Sequence, residues 1–322
     1  MYTREQINSI KTNNNKRLYQ QCFHNLMIEA EKNNTLTLAE ESFLCSVIKI
    51  LRRNGSMEYA YKLKDLAYCN NYRFRSTYLL YFLDLNGYKE TSDAFGKITP
   101  QKKDEDISYL NLEYKSWLQT IKGKQNENNL IGYISNETGK QLKELRKFCK
   151  RTFTGHRYHN YLEKSIILHG KYIHQIINEY YQEQKFSEQK IIIDKKTIII
   201  NAYTYVHILY RHYSKAIKQH QNKSYHFDSS IDYQNLPSQL YKVLQCYKSN
   251  ITSLNDDYIY FKLNNTNYAL WFKKQTRYLK GGVKEDYLRL ETFYPISFKS
   301  DYDRIASMKL LKTSCGYNFY KK

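Results

Sequence analysis

His207-Ile-Leu-Tyr-Arg211-His212 gathers two imidazoles and a guanidinium within six residues. On a helix His207 and Arg211, four apart, share a face, and His212 lies about a hundred degrees further round. Imidazole suits proton transfer near neutral pH, and guanidinium suits a phosphate. Together these are the parts needed to cut RNA without a metal. A base takes the 2′-hydroxyl proton, an acid protonates the leaving 5′-oxygen, and a cation steadies the pentacovalent phosphorane. Lys262, Lys273, Arg277 and Arg289 are the cations on the stretches that follow, and Thr292 and Tyr294 offer hydroxyls. Tyr225 and His226 lie just beyond the helix. The expected catalytic set is therefore His207, His212, Arg211, Lys273, Arg289 and Thr292. Lys262, Arg277, Tyr260 and Tyr294 are the expected nucleic-acid contacts, and neither cofactor nor metal is implied. A plainer reading stands beside this one. A histidine-rich helix with one arginine also serves as a surface or helix-end feature. Tyr258, Tyr260, Tyr268, Trp271 and Phe272 alternate as a half-buried sheet does, although tyrosines on an open face can stack on bases.

The elements that must hold these residues run from Lys190 to Phe298. Ile191 to Ile193 and Thr197 to Ile200 are β-branched runs split by Asp194-Lys195-Lys196, and read as a hairpin. Tyr203 to Gln219 reads as a helix with Val206, Leu209, Tyr210, Tyr213 and Ile217 inward. Leu236 to Tyr247 is a second helix, with Pro237 in its first turn. Tyr258 to Leu263 and Tyr268 to Lys273 are strands joined by an Asn264–Asn267 turn. Gly281-Gly282 breaks the chain before a last strand, Tyr287 to Tyr294, closed by Pro295. The order β-β-α-α-β-β-β is an α+β domain with an antiparallel sheet, spanning residues 186–322.

Residues 1–185 read as an all-helical region with a sub-boundary near 96–108. Leu18, Cys22, Leu26 and Ala30 recur at helical spacing, as do Phe43, Val47, Ile50 and Leu51. Thr37 and Glu40 form a capping box, Asn54-Gly55 stops that helix, and Ser56 caps the next, Met57 to Cys69. Tyr78 to Leu85 is a short apolar helix ended by Asn86-Gly87. Residues 87–108 read as a linker, followed by a helix over Tyr109–Ile121 and two more across 138–184. His169 and His174 are five apart and do not share a helix face well, so no metal site is expected there.

Lys+Arg 51 against Asp+Glu 31 leaves a net charge of +20, which suits a polyanionic partner. Abundant Lys, Asn, Ile and Tyr also reflect an AT-rich coding sequence, but that bias does not explain why the acids fail to balance. Residues 190–299 hold 17 basic and 8 acidic residues, against 29 and 21 over residues 1–189. The six cysteines include no Cys-x-x-Cys pair, and no run is apolar enough for a signal or membrane helix. A reducing cytoplasm is expected.

Residues 190–298 resemble the phage and mobile-element nuclease domains of the barnase–EndoU–colicin–RelE superfamily of metal-independent ribonucleases. The resemblance rests on His207-Ile-Leu-Tyr-Arg-His212, the Leu236-Pro237-x-x-Leu240 helix start, the paired strands, and Glu291-Thr-Phe-Tyr-Pro-Ile296. It implies helices packed on one antiparallel sheet, with RNA on the open face. It also implies acid/base roles for His207 and His212, and a substrate-contacting or structural role for Thr292. The basic residue on the middle strand varies in that superfamily, so Lys273 and Lys262 both stay open. The expected function is a metal-independent endoribonuclease or ribonuclease-like toxin. RNA is the expected partner, residues 1–185 would serve a protein partner or inhibitor, and no membrane is involved. The alternative is a non-catalytic basic nucleic-acid-binding or protein-interaction protein of a phage or mobile element.

Overall fold

The computed structural model describes residues 1–32, 34, 36–47, 49–52, 57–59, 74, 77–78, 88–152, 155–185, 188–213, 226, 231, 235–254 and 257–322. The chain divides into two compact units. The first comprises Met1–Thr120 and Phe148–His169, the second Ile121–Lys147 and Gly170–Lys322. The expected boundary at residue 185/186 is thus displaced, because two helical stretches before it belong to the second unit.

The first unit opens with α1 (Arg4–Thr12), α2 (Lys16–Glu31) and α3 (Leu38–Val47). The Thr37–Glu40 capping box forms as expected: the Thr37 N–H donates to Glu40 and the Glu40 N–H donates back to Thr37 Oγ1. Glu40 is only 1% exposed. Burial pushes its carboxyl pKa up, but the N–H donors of Tyr2 and Thr37 outweigh that and hold it below the usual range.

The all-helical expectation fails after Val47. Strands β1 (Lys49–Arg52), β2 (Met57–Tyr59), β3 (Tyr88–Asp93) and β4 (Gly96–Lys97) form an antiparallel sheet in the order β2-β1-β3-β4. The run Val47-Ile48-Lys49-Ile50-Leu51 fits a helical period, but Val47, Ile48 and Ile50 are β-branched, and so short a run does not separate helix from strand. Met57–Tyr59, expected to open a helix, are instead β2; Asn54-Gly55, Ser56 and the stretches from Ala60 to Cys69 and from Leu79 to Gly87 lie outside the described residues. The expected linker is occupied by β3, β4 and the start of α4 (Pro100–Ile121), whose proline sits in the first turn. The two further helices are α5 (Leu130–Thr152) and α6 (His156–Gln184).

The second unit is the α+β part. It contains β5 (Glu188–Ile193), β6 (Lys196–Asn201), α7 (Ala202–Ile208) running into a π-helical turn (Leu209–Tyr213), and α8 (Leu236–Asn250). Then follow β7 (Tyr258–Leu263), β8 (Thr266–Tyr278), β9 (Lys284–Pro295), α9 (Lys299–Ala306), β10 (Lys309–Leu311) and β11 (Asn318–Lys321). Residues 214–219 of the expected first helix lie outside the described residues. The sheet order is β10-β11-β7-β8-β9-β6-β5. It is mixed rather than antiparallel, because β6 pairs parallel to β9 through Ile198↔Leu288 and Ile199↔Arg289.

Opposed residues build the core on one face of the sheet. Leu270 lies opposite Phe293 and Phe272 opposite Leu290, all buried. Leu240, Val243 and Leu244 of α8, which packs on β5 and β6, are fully buried. A Cys246–Cys315 disulfide, Cα–Cα 6.3 Å, ties α8 to the turn before β11. The pair is 69 residues apart and has no short-range spacing signal. No helix among the described residues is long and apolar enough to cross a membrane.

Burial makes both α6 histidines acid-sensitive. His169 is pushed down to about 3 by burial, and His174 to about 4 by burial and the neighbouring Lys171. Both folded values lie below the ordinary 6.5, so the unfolded chain binds more protons once the pH falls below 6.5. Stability is therefore expected to fall from pH 6.5 towards pH 4, by up to about 1.4 kcal/mol per pH unit for each histidine. Urea midpoints at pH 7.5 and 5.0, for wild type and His169→Gln, check this. The variant should show the shallower pH dependence, and equal midpoints in the wild type would refute the assignment.

Candidate functional site

Asn201 ends β6 and caps α7, its side chain accepting from the Thr204 N–H at 3.2 Å. Thr204 is fully buried and its hydroxyl donates to the Leu290 carbonyl. These two contacts hold α7 against β9 and decide which residues face each other.

The register of β8 with β9 shifts where Trp271 opposes Thr292 and Phe272 opposes Leu290. Glu291 is the extra residue of this bulge. Such bulges re-aim a side chain out of the ladder. Glu291 accepts from the Tyr203 hydroxyl at 2.8 Å and from Arg289 Nε and Nη2 at 3.0 and 2.8 Å. The Arg289 guanidinium lies 3.6 Å above the Tyr203 ring. Tyr203 in turn stacks on His207, centroids 5.8 Å apart, and meets the Tyr133 ring edge-on at 5.4 Å.

The second carboxylate comes from α5. Glu137 binds Lys140 at 2.7 Å and Arg211 at 3.0 Å, with its side chain 6% exposed. The preceding helix face is fixed by Tyr210, whose hydroxyl meets Thr138 at 3.0 Å. His207 thus sits among Glu137, Glu291, Arg211 and Tyr203. Its Nδ1 is buried without a hydrogen-bond partner among the described residues.

The electrostatics follow from this placement. Burial pushes the His207 pKa down, the Glu137 and Glu291 charges pull it up, and Arg211 and Lys140 push it down again. The net direction is down, so the imidazole is neutral near pH 7. For Glu137, burial is outweighed by Lys140 and Arg211; for Glu291 it is outweighed by Arg289 and Tyr203. Both carboxyls lie below the usual range and are ionised. Burial and Glu291 push the Tyr203 phenol up, so it stays protonated.

The expected residues therefore divide. His207, Arg211 and Arg289 come together. His212, Thr292 and Tyr294 form a second contact set: His212 is 8% exposed, its Nε2 lies 2.8 Å from Thr292 Oγ1, and its ring stacks on Tyr294 at 5.2 Å. His207 feels the charge of Glu291 and His212 meets Thr292, the next residue of β9 at the bulge. His226 stacks on Tyr213 at 4.0 Å and reaches the Phe293 carbonyl; Tyr225 lies outside the described residues.

Lys273 is exposed and opposes Arg289 in register, so its side chain leaves from the same face. Lys262 is on β7, opposite Asn267 and Asn318, away from this group. Arg277 is held by Glu188 and Glu285 at 3.0 and 2.6 Å. Tyr260, expected as a base-stacking residue, is 1% exposed and packs with Ala269, Ile296 and Ile305, because α9 covers that part of the face. It is a core residue. Glu137, Glu291 and Tyr203 were not among the expected site residues. Glu291 stands inside the Glu291-Thr-Phe-Tyr-Pro-Ile296 motif, but Glu137 is 74 positions from Arg211 and carries no local signal.

Among the described residues no group of three or more His, Cys, Asp or Glu side chains is arranged to hold a metal ion. Compared with protein-family models, with curated proteins and with solved structures, the chain gives no match.

Glu137→Gln removes the carboxylate shared by Lys140 and Arg211. Breaking such a largely buried pair is expected to cost about 3 kcal/mol, read as a lower urea midpoint. The His207 pKa should fall further, because an anion that raises it is gone and Arg211 is left uncompensated. NMR titration of the His207 ring checks the direction; a rise would contradict the placement.

Proposed function

We propose that the second unit is a metal-independent endoribonuclease acting on RNA by 2′-hydroxyl attack. The observation that supports this reading is the convergence of a neutral, buried imidazole (His207), two ionised carboxylates (Glu137, Glu291) and two guanidiniums (Arg211, Arg289) on one helix–strand junction. In this reading His207 accepts the 2′-hydroxyl proton as the oxygen attacks phosphorus. A guanidinium holds the non-bridging oxygens, and the 5′-oxygen leaves with a proton from His212 or solvent. The products are a 2′,3′-cyclic phosphate and a 5′-hydroxyl end. The excess of +20 supplies the long-range attraction for a polyanion.

A second reading is favoured by a specific feature. Arg211, Arg277 and Arg289 are each already bound to glutamate. A protein whose arginines are spent on structure, and which holds nucleic acid or a protein partner without cutting, would look the same. The expected cytoplasmic location, for its part, sits against the Cys246–Cys315 disulfide, which favours an oxidising compartment.

Incubation with total RNA in EDTA, followed by end-group analysis, separates the readings. Cleavage with cyclic phosphate ends is expected, and His207→Ala should lower the rate by at least about 10²-fold. Because the His207 pKa is depressed, activity should persist below pH 6.5 and be lost only on further acidification. Intact RNA under all conditions would sink the enzyme and leave the binding protein.

A further inference from the structure

The far end of the β8–β9 ribbon carries a cluster that the His207 site does not use. β8 runs to Tyr278 and β9 starts at Lys284, whereas β7 pairs with β8 only as far as Trp271. Residues 274–288 therefore form a two-stranded arm, flanked on one side by the β5–β6 turn. The parallel register Ile198↔Leu288 brings that turn level with the arm. Asp194 and Lys195 make the turn at φ 49° and 60°.

Register also decides the face. Lys274 opposes Leu288, Thr276 opposes Asp286, and Tyr278 opposes Lys284, so Lys274, Lys284 and Asp286 leave from the face of Leu288. Ile198 shares that face, and Lys196 lies two residues before it. The result is an open recess of about 580 Å³ lined by Lys195, Lys196, Lys274 and Lys284, with Asp286 the one acid among its described lining residues and Asp194 beside it, 3.9 Å from Lys196. Lys196 is anchored by the Leu254 carbonyl at 3.2 Å, and Leu254 N–H by Asp194. The Lys284–Asp286 pair is exposed, 59% and 66%, and so holds little of the lysine's binding capacity.

We propose that this recess is a second RNA contact, taking the sugar–phosphate backbone on the face opposite Arg289. Lysines on flexible stems around a wide, shallow recess suit a chain of phosphates rather than one buried anion. The Thr276 hydroxyl on this face already donates to Asp286 at 2.6 Å, so the lysine ammonium groups supply the donors for phosphate oxygens. The arm's Tyr278, 75% exposed, and Val283, 60% exposed, extend the contact beyond the lysines. The inference shares its partner, RNA, with the proposed function but none of its chemistry.

The test uses the full chain and a fluorescent 2′-O-methyl oligoribonucleotide, which lacks the attacking hydroxyl, so binding is read whether or not the protein cuts. Anisotropy titrations over a salt series compare wild type with a Lys195→Gln, Lys274→Gln, Lys284→Gln variant. A control replaces the exposed Lys242, Lys248 and Lys299 with Gln, removing the same charge elsewhere. Circular dichroism and the thermal midpoint verify folding. At about 0.7 per phosphate contact on a single strand, the slope of log affinity against log salt should fall by about 2 in the recess variant. Affinity near physiological salt should drop by tens of fold, and both should change far less in the control. An unchanged slope, an equal loss in the control, or no RNA binding by the wild type would overturn the inference.

Discussion

The parallel pairing of β6 with β9 is the constraint on which the second unit depends. Ile198 and Ile199, which point to opposite faces, are fully buried, as is Leu290, and Leu288 is nearly so, so the paired strands are covered on both sides. The pairing fixes both ends of β6. At its C-terminal end the chain passes from Asn201 straight into α7, above residues 290–294 of β9. At its other end the Asp194-Lys195 turn is brought beside the β8–β9 arm. The imidazole site and the lysine recess are thus two outcomes of one strand register.

Positive charge in this unit is divided by chemistry. Arg211, Arg277 and Arg289 sit partly buried against Glu137, Glu188 with Glu285, and Glu291. Their planar forks match carboxylates and aromatic faces, as Arg289 does over Tyr203. The lysines remain towards solvent, where hydrated ammonium groups are cheap to keep. Three guanidiniums are thus taken up by carboxylates, while Arg304, 50% exposed beside Asp301, and the exposed Arg146 of α5 stay towards solvent with the lysines.

How legible all this is in the sequence varies with the range of the interaction. The β5–β6 hairpin, the Pro237 helix start, the β7–β8 hairpin and the Thr37–Glu40 cap depend on neighbours a few residues apart, and local pattern shows them. The β1–β4 sheet was hidden because a run as short as Val47–Leu51 supports either period. The parallel β6–β9 pair joins residues about ninety apart, and nothing in either strand declares its direction. The bulge at Glu291 and the π-turn at Leu209–Tyr213 are single-residue departures from regular pitch, and each changes which side chain meets which. The four-residue spacing of His207 and Arg211 is consistent with both lying near Glu137. It could not show that the face is answered by Glu137, contributed by a helix from a distant part of the chain.

The pairing of the two guanidiniums also bears on the proposed reaction. An incoming phosphate must compete with a carboxylate at either one. Arg289 is held three ways, by two hydrogen bonds to Glu291 and by the Tyr203 ring, and its side chain is 15% exposed. Arg211 makes one hydrogen bond to Glu137, is 23% exposed, and leaves behind a carboxylate still paired with Lys140. Releasing Arg211 leaves no buried charge without a partner, whereas releasing Arg289 strips Glu291 of its only guanidinium among the described residues. In the proposed reaction phosphate would therefore exchange onto Arg211 more readily, next to His207 one helical turn away. Arg289 is better suited to holding Glu291 and Tyr203 in place than to touching substrate.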